Sequence, residues 1–411
     1  MNSSRFRFLQ EKLIEELEEY REIQDEEIYK KIDDLILETG MEVYIRLSER
    51  NELRRELFNS VRRLDILQEL VDDDSVTEIM VNGTDGIFIE REGQLMRWGK
   101  TFESRSKLED LVQQIVSKCN RMINESVPIV DARLENGARV NIVLPPVALN
   151  GPIITIRRFP DRPVKMEQLI RWGAVSREAV DFLEQLVCAG YNIFISGGTG
   201  AGKTTFMNAL SNFIPKDERI ITIEDNAELQ LQGVKNLVRM EARNANAQGE
   251  LAVTIRDLIK SSLRMRPDRI LIGEVRGSEA IDLLQALNTG HDGSISTGHA
   301  NSPVDMLSRL ETMVLMGMEI PIQAIRRQIA SGIDIMVHLG RLRDKSRKVL
   351  EILEILGYDS STGEIRTQSL FQFREQGVDS WGNIQGSLVR TAELSGVQKL
   401  QRAGYVPRGA V

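Results

Sequence analysis

The sequence has few cysteines and histidines, and it has no long apolar run. It has two cysteines and three histidines among 411 residues. Cys119 and Cys188 stand alone, which excludes a four-cysteine zinc site and suggests a reducing compartment. No run of 18 apolar residues occurs, so we expect no transmembrane helix. The charged start of the chain is unlike a signal peptide, and we therefore expect a cytoplasmic protein.

Net positive charge is also missing. The chain carries 61 acidic and 53 basic residues, giving a formal charge of −8 and a pI near 5.3. This balance argues against a general polyanion binder, although it leaves room for a local basic groove. We therefore expect no direct nucleic-acid partner. The length suggests two or three domains.

The first 160 residues divide into two predicted regions. Residues 1–70 carry apolar side chains at helical spacing, which predicts a helical bundle or docking region with breaks near Gly40 and Asn51. From residue 71 to 160 the pattern alternates as in strands, which predicts a smaller α+β domain. Its predicted strands and helix lie at 76–83, 86–95, 107–122 (the helix), 138–144 and 152–158.

Residues 161–360 alternate between apolar strands and helices, which predicts an α/β domain with a mainly parallel sheet. The clearest predicted strands are 193–197, 219–223 and 269–273. The tail, 361–411, is rich in Ser, Gln and Gly and carries no motif. Its composition fits either a disordered segment or a small appended element.

A phosphate-binding loop follows the first of these strands. Gly197, Gly202, Lys203 and Thr204 occupy every fixed position of G-x-x-x-x-G-K-[ST]. Glycines allow successive backbone N–H groups to face an anion, and the helix N-terminus adds partial positive charge. The predicted phosphate-binding residues are Gly197, Gly198, Thr199, Gly200, Ala201, Gly202, Lys203, Thr204 and Thr205.

Carboxylates at strand ends complete a hydrolytic site. Glu274 ends an apolar strand, where it would orient or deprotonate the attacking water. Thr204 and Glu274 would hold Mg²⁺, partly through water. The acids after 219–223 (Glu224, Asp225 and Glu228) could polarise water or order Mg²⁺, with helix capping by Asp225 as the structural alternative.

Histidines and arginines are the remaining candidates. His291 and His299 lie in a polar loop, where either could contact the γ-phosphate, and a metal site would lack a third ligand. His338 lies in an apolar strand and is interpreted as structural. Arginines supplied across a subunit boundary accelerate phosphoryl transfer by about 10³–10⁵. The candidates with that role, each with a surface ion pair as its alternative, include Arg139, Arg157 and Arg158.

Four boxes together resemble the secretion ATPase superfamily of type II and type IV secretion and type IV pili. They are GGTGAGKTT (197–205), ITIEDNAELQL (221–231), RMRPDRILIGEVRG (264–277) and TGHDGSISTGHAN (289–301). Three stretches resemble most closely the CpaF/TadA-type ATPase of tight-adherence (Flp) pili: VTEIMVNG (76–83), NGARVNIVLPP (136–146) and GPIITIRRF (151–159). This chain lacks the tetracysteine zinc module of other branches, which favours the tight-adherence or conjugation-type branches.

The resemblance implies a RecA-like P-loop ATPase core preceded by a PAS-like domain. It further implies a homohexameric ring that uses ATP and Mg²⁺ and is attached to the inner membrane through a polytopic platform protein. The ring would power pilus assembly or type II-like secretion. Its catalytic residues would be Glu274, Glu224, Lys203, Arg139, Arg157, Arg158 and His299, with His291 at the phosphate.

Three other functions fit parts of the pattern. A conjugation-type type IV secretion ATPase would share the motor and differ in its partners. A DNA translocase is disfavoured by the acidic charge and by the absence of clusters that mix aromatic and basic residues. A nucleotide-gated scaffold would bind ATP without useful turnover, which kinetics would distinguish from a motor.

Overall fold

The computed structural model describes residues 3–18, 20, 23–42, 45–91, 93–119, 121–158, 163–243 and 252–405. The chain forms two compact units, Met1–Asp161 and Arg162–Val411. The domain boundary predicted between residues 160 and 161 lies outside the described residues. No described helix is both long and apolar enough to cross a membrane.

The first unit begins with three helices, α1 (Ser3–Glu18), α2 (Asp25–Glu42) and α3 (Leu47–Arg62). They bury an apolar core that includes Leu13, Ile32 and Leu57. The predicted breaks at Gly40 and Asn51 are wrong, because Gly40 lies within α2 and Asn51 within α3. A glycine near a helix end costs little, and the exposed Asn51 leaves the apolar face of α3 intact.

The rest of the first unit is a six-stranded sheet covered by helices. A 3₁₀ turn at Asp65–Leu67 leads into α4, and the strand order is β3-β2-β1-β6-β5-β4 with every neighbouring pair antiparallel. The elements are α4 (Gln68–Val71), β1 (Val76–Asn82), β2 (Gly86–Arg91), β3 (Gln94–Arg97), α5 (Arg105–Lys118), β4 (Ile129–Arg133), β5 (Arg139–Val143) and β6 (Ile153–Arg157). Strand β4 was not predicted, because none of its five residues is fully buried.

The second unit holds a nine-stranded sheet. Its helices are α6 (Met166–Arg171), α7 (Arg177–Cys188), α8 (Lys203–Ser211), α9 (Ile255–Ser262), α10 (Ala280–Leu287), α11 (Pro303–Gly317), α12 (Ile322–Gly332) and α13 (Gln398–Arg402). Its strands are β7 (Ile193–Gly197), β8 (Arg219–Glu224), β9 (Asn236–Glu241), β10 (Arg269–Ile272), β11 (Ile295–His299), β12 (Ile335–Arg341), β13 (Arg347–Asp359), β14 (Glu364–Val378) and β15 (Ile384–Arg390).

The strand order is β15-β14-β13-β12-β7-β11-β10-β8-β9. The strands from β12 to β9 run parallel, and β13, β14 and β15 add antiparallel pairs. Apolar side chains fill both faces of the sheet, with Ile195 on one face and Phe194 on the other. The carboxyl ends of β7, β11, β10 and β8 therefore meet at one edge, where ligands bind in open α/β sheets.

The tail is ordered over most of its length, so the disordered alternative is wrong. Residues 364–390 form β14 and β15, and their side chains Leu370, Phe371 and Leu388 are buried in the main core. Composition alone hid these strands, because the apolar residues are diluted by Ser, Gln and Gly. Residues 406–411 lie outside the described part of the chain.

The segment after β15 is held by polar contacts near the start of β7, at the edge of the sheet opposite the phosphate loop. The buried Glu354 carboxylate accepts the backbone N–H groups of Ser395 at 2.9 Å and Gly396 at 2.6 Å. Lys399 Nζ lies 2.7 Å from the Asp334 carboxylate, which also accepts the backbone N–H of Asn192 at 2.7 Å. Asn192 directly precedes β7, so the tail supports the strand that carries the phosphate loop.

Candidate functional site

The phosphate loop joins the end of β7 to the start of α8. Gly200 and Gly202 have φ of 71° and 91°, a left-handed conformation that favours glycine. A Cβ added at Gly197 would lie 2.3 Å from the carbonyl oxygen of Leu339 on β12. The loop therefore needs its glycines for backbone shape and for close packing against β12.

Lys203 begins α8 and reaches back into the loop. Its Nζ donates to the carbonyl oxygens of Gly197 and Gly198, each at 3.1 Å, and lies 3.2 Å from His299 Nδ1. Burial lowers the pKa of Lys203, and the nearby Glu274 carboxylate opposes that shift. The ammonium group therefore lies inside the loop, where a bound phosphate would balance its positive charge.

Glu274, just beyond β10, lies between His299 and Arg276. Its Oε1 lies 2.8 Å from His299 Nε2, and its Oε2 accepts a hydrogen bond from Arg276 at 2.8 Å. Arg276 also lies 3.3 Å from Asp225 Oδ2. The chain Lys203–His299–Glu274–Arg276–Asp225 is therefore continuous, and we call it the polar relay.

His299 is the central member of the polar relay. Burial is the main cause that lowers its pKa; Lys203 and Arg276 add to that shift, while Glu274 opposes it. Because the ordinary pKa of histidine is already near 6.5, the imidazole is neutral at neutral pH. A neutral ring between a lysine and a carboxylate holds both in place without adding charge.

An open cleft adjoins the polar relay. It has a volume of about 450 Å³ and continues into a smaller cavity of about 330 Å³ against Glu274. Ligand pockets commonly fall in this size range. Arg309 on α11 lines both cavities, although no sequence motif pointed to it. The residues lining the larger cleft are Gly198, Thr199, His299, Ala300, Asn301, Asp305, Ser308 and Arg309.

Glu224 is buried at the end of β8. Its Oε2 accepts the backbone N–H groups of Glu228 at 2.7 Å and Leu229 at 2.8 Å. Burial raises its pKa to about 7, although both N–H groups oppose that shift. These contacts make Glu224 a positioning residue for the loop that carries Asp225, and they do not reach Lys203.

His291 does not lie at the phosphate loop, so its predicted phosphate contact is wrong. Strands β11 and β7 are parallel, with Ile295 opposite Ile193 and His299 opposite Gly197. His291 precedes β11 and therefore lies at the opposite edge of the sheet, where its Nδ1 is 3.1 Å from the carbonyl oxygen of Ala286. The spacing of the two histidines could not show that a whole strand separates them.

The three predicted arginines belong to the first unit. Arg139 and Arg157 lie opposite each other on β5 and β6, and Arg133 on β4 extends the same row. Arg158 is different: it donates to the backbone of Asp73 and lies 3.1 Å from the Asp74 carboxylate. The ion-pair alternative therefore applies to Arg158. A nucleotide contact by Arg139 or Arg157 stays a prediction.

The residues fit a nucleotide with Mg²⁺. Among the described residues no group of three His, Cys, Asp or Glu side chains could hold a metal alone. Mg²⁺ keeps several waters and usually binds through phosphates with one or two protein oxygens, which Thr204 and Glu274 can supply. The loop glycines, the N-terminus of α8 and Lys203 provide the complementary phosphate cradle.

Comparison with known proteins gives the family. Residues 61–395 match the family described as type II/IV secretion system protein. The chain belongs to this family. The predicted membership of the secretion ATPase superfamily is thereby confirmed, whereas the CpaF/TadA subtype stays a prediction.

Two relatives each cover at least two thirds of this chain. A Mycobacterium tuberculosis protein with a provisional name as a conjugal transfer protein is 36% identical over 293 residues, spanning 70% of this chain and 83% of its own. The type IV secretion system protein PtlH homolog of Bordetella bronchiseptica is 35% identical over 304 residues, spanning 67% of this chain and 89% of its own.

Solved structures confirm the predicted RecA-like core. The crystal structure of the pilus retraction motor PilT with bound ADP aligns with a TM-score of 0.50 at 19% identity. It covers 67% of this chain and 77% of PilT. At that identity the likeness shows the fold alone.

His291 and His299, the two histidines of TGHDGSISTGHAN (289–301), give a matched test of the site. We expect His299→Ala to lower ATP turnover at least about tenfold, because it breaks the link between Lys203 and Glu274. His291→Ala should leave turnover within about twofold at equal folded protein, because it removes contacts to Ala286 and Thr289 at the opposite edge of the sheet. Steady-state ATPase assays would measure both, and equal losses would contradict the assignment.

The buried Glu224 predicts a pH-dependent stability. The folded state keeps its proton up to about pH 7, whereas the unfolded carboxyl loses it near its ordinary value of 4.5. The cost of burial therefore grows as pH rises across this window, to roughly 3 kcal/mol at most. Glu224→Gln should stabilise the fold relative to wild type more at pH 8 than at pH 5.

Urea unfolding at both pH values would measure this difference in free energy. Glu319→Gln, which changes an exposed carboxylate, is the control and should give a difference that does not vary with pH. A Glu224→Gln variant whose relative stability is the same at pH 5 and pH 8 would show that the carboxyl is ionised at both.

Proposed function

We propose that this chain is an ATP-hydrolysing motor of a type II/IV secretion or pilus system. The observation that supports this most is the polar relay, which joins the phosphate-loop lysine to a carboxylate at the end of β10. Such a connection would make the position of Glu274 depend on what occupies the loop. A scaffold that only binds ATP needs the loop but has no use for the carboxylate.

The chemistry follows from the groups that surround the cleft. Backbone N–H groups of the loop, the N-terminus of α8 and Lys203 would bind the β- and γ-phosphates. Glu274 would orient the attacking water and accept its proton, since its Oε1 accepts no hydrogen bond from the described residues although it lies 2.8 Å from His299 Nε2. Bound Mg²⁺ would neutralise developing charge on the phosphate oxygens.

We further propose that the motor works as a homohexamer at the inner face of the membrane, docked on a polytopic platform protein. The resemblance to tight-adherence ATPases supports pilus assembly as the output. Arg139 and Arg157 are the candidates for stabilising the transferred phosphoryl group from the first unit. Arg139 and Arg157 lie opposite each other on β5 and β6, so one bound phosphate could contact both.

A conjugation-type secretion motor is the second candidate. It is favoured by the names of the relatives, which assign the Mycobacterium protein to conjugal transfer and the Bordetella protein to type IV secretion. Both candidates share the hydrolytic site and differ in the membrane partner. Co-purification with a pilus platform protein or with conjugation-channel proteins from the native host would separate them.

The role of Glu274 can be tested without knowing the partner. We expect Glu274→Gln to lower kcat by about 10² or more while the Kd for ADP changes less than threefold, because the amide cannot accept the water's proton. Lys203→Ala should weaken nucleotide binding itself. Glu319→Gln serves as the surface control, and normal turnover in Glu274→Gln would contradict the proposed role.

A further inference from the structure

A basic hairpin lies beside the phosphate loop. It comprises residues 341–348 and joins β12 to β13, with five basic residues and one acidic residue. Strand β12 pairs with β7 so that Leu339 lies opposite Gly197. The hairpin therefore emerges at the same edge of the sheet as the phosphate loop. No motif of the sequence pointed to it.

Three charged residues of the basic hairpin have partners that hold it in place. Asp344 accepts the backbone N–H groups of Ser346 and Ile384 at 2.9 and 2.7 Å. Arg343 forms an ion pair with Glu375 on β14. Lys348 Nζ donates to the carbonyl oxygen of Gly173 at 2.9 Å. These contacts fix the hairpin in position, and of its other cations (Arg341, Lys345 and Arg347) it is Arg347 that contacts the phosphate loop.

Arg347 touches the phosphate loop directly. Its Nε donates to the carbonyl oxygen of Gly200 at 2.8 Å. A Cβ added at Gly202 would lie 3.5 Å from Arg347 Cδ, so the arginine stem packs along the loop. The two terminal nitrogens make no hydrogen bond or ion pair with any residue in the described ranges. The guanidinium is therefore held in place through Nε, and its terminal N–H groups remain available to donate to a ligand.

We propose that Arg347 is a nucleotide-binding residue, in which Nε braces Gly200 and the terminal nitrogens donate to a phosphate oxygen of a bound nucleoside di- or triphosphate. Arginine suits this role because its planar fork matches phosphate geometry and its charge is permanent. Lys203 meets the phosphates from inside the loop, and Arg347 meets them from the side of β12. This inference rests on the proposed function and adds a residue to its site.

Variants of the basic hairpin test the proposal through binding alone. Arg347→Met should raise the Kd for ADP about tenfold, the typical effect of one charge-assisted hydrogen bond. Lys345→Gln, in the same hairpin and without a contact to the loop, is the matched control and should bind ADP like wild type. A fluorescent ADP analogue measures both. Wild-type affinity in a folded Arg347→Met variant overturns the proposal.

A second measurement uses the wild-type protein and does not depend on how the variant folds. Arg347 is exposed, so phenylglyoxal should modify it, and ADP should slow that modification at least about fivefold whereas adenosine should not. Arg374, an exposed arginine on β14, is the internal control, and mass spectrometry reads both sites. An unchanged rate at Arg347 with ADP bound overturns the proposal. Wild-type protein that binds no ADP overturns the proposed function as well.

Discussion

The placement of His299 between Lys203 and Glu274 is the contact on which the site depends. Three parallel strands produce it: β7 delivers the phosphate loop, β10 delivers Glu274, and β11 between them carries His299 level with Gly197. A shift of β11 by one residue would turn His299 to the other face of the sheet. The hydrogen bonding of three neighbouring strands thus sets the geometry of the proposed chemistry.

A second constraint concerns Gly273, the residue that precedes Glu274. A Cβ at Gly273 would lie 3.0 Å from Glu224 Cγ, so the Glu224 side chain fills the space beside this position. The Glu224 carboxylate in turn holds the loop that follows β8. A residue larger than glycine at 273 would push the Glu224 side chain out of this buried position.

The sequence predicted the parts of this protein that local pattern determines. The phosphate loop, the strand before Glu274 and the antiparallel hairpin β1–β2 each have a local signature, and the structure places them as predicted. Contacts that depend on how the strands are ordered in the sheet could not be predicted from local sequence patterns. His291 and His299 look equivalent in sequence, yet β11 separates them. Arg347 and Gly200, which are in contact, lie 147 residues apart in the sequence. Strands β14 and β15 have buried apolar residues, but these are spaced among many polar ones, so composition did not indicate strands.

The most direct test of the ring-motor account is the Mg²⁺-dependent ATPase rate per subunit across protein concentration, with mass measured in parallel by light scattering. A ring motor would show low activity as a monomer and a rise in activity that coincides with assembly into a hexamer. That result would place part of the site on a neighbouring subunit. Full activity per subunit in a monomer, unchanged on dilution, would confine hydrolysis to one chain and contradict the ring motor.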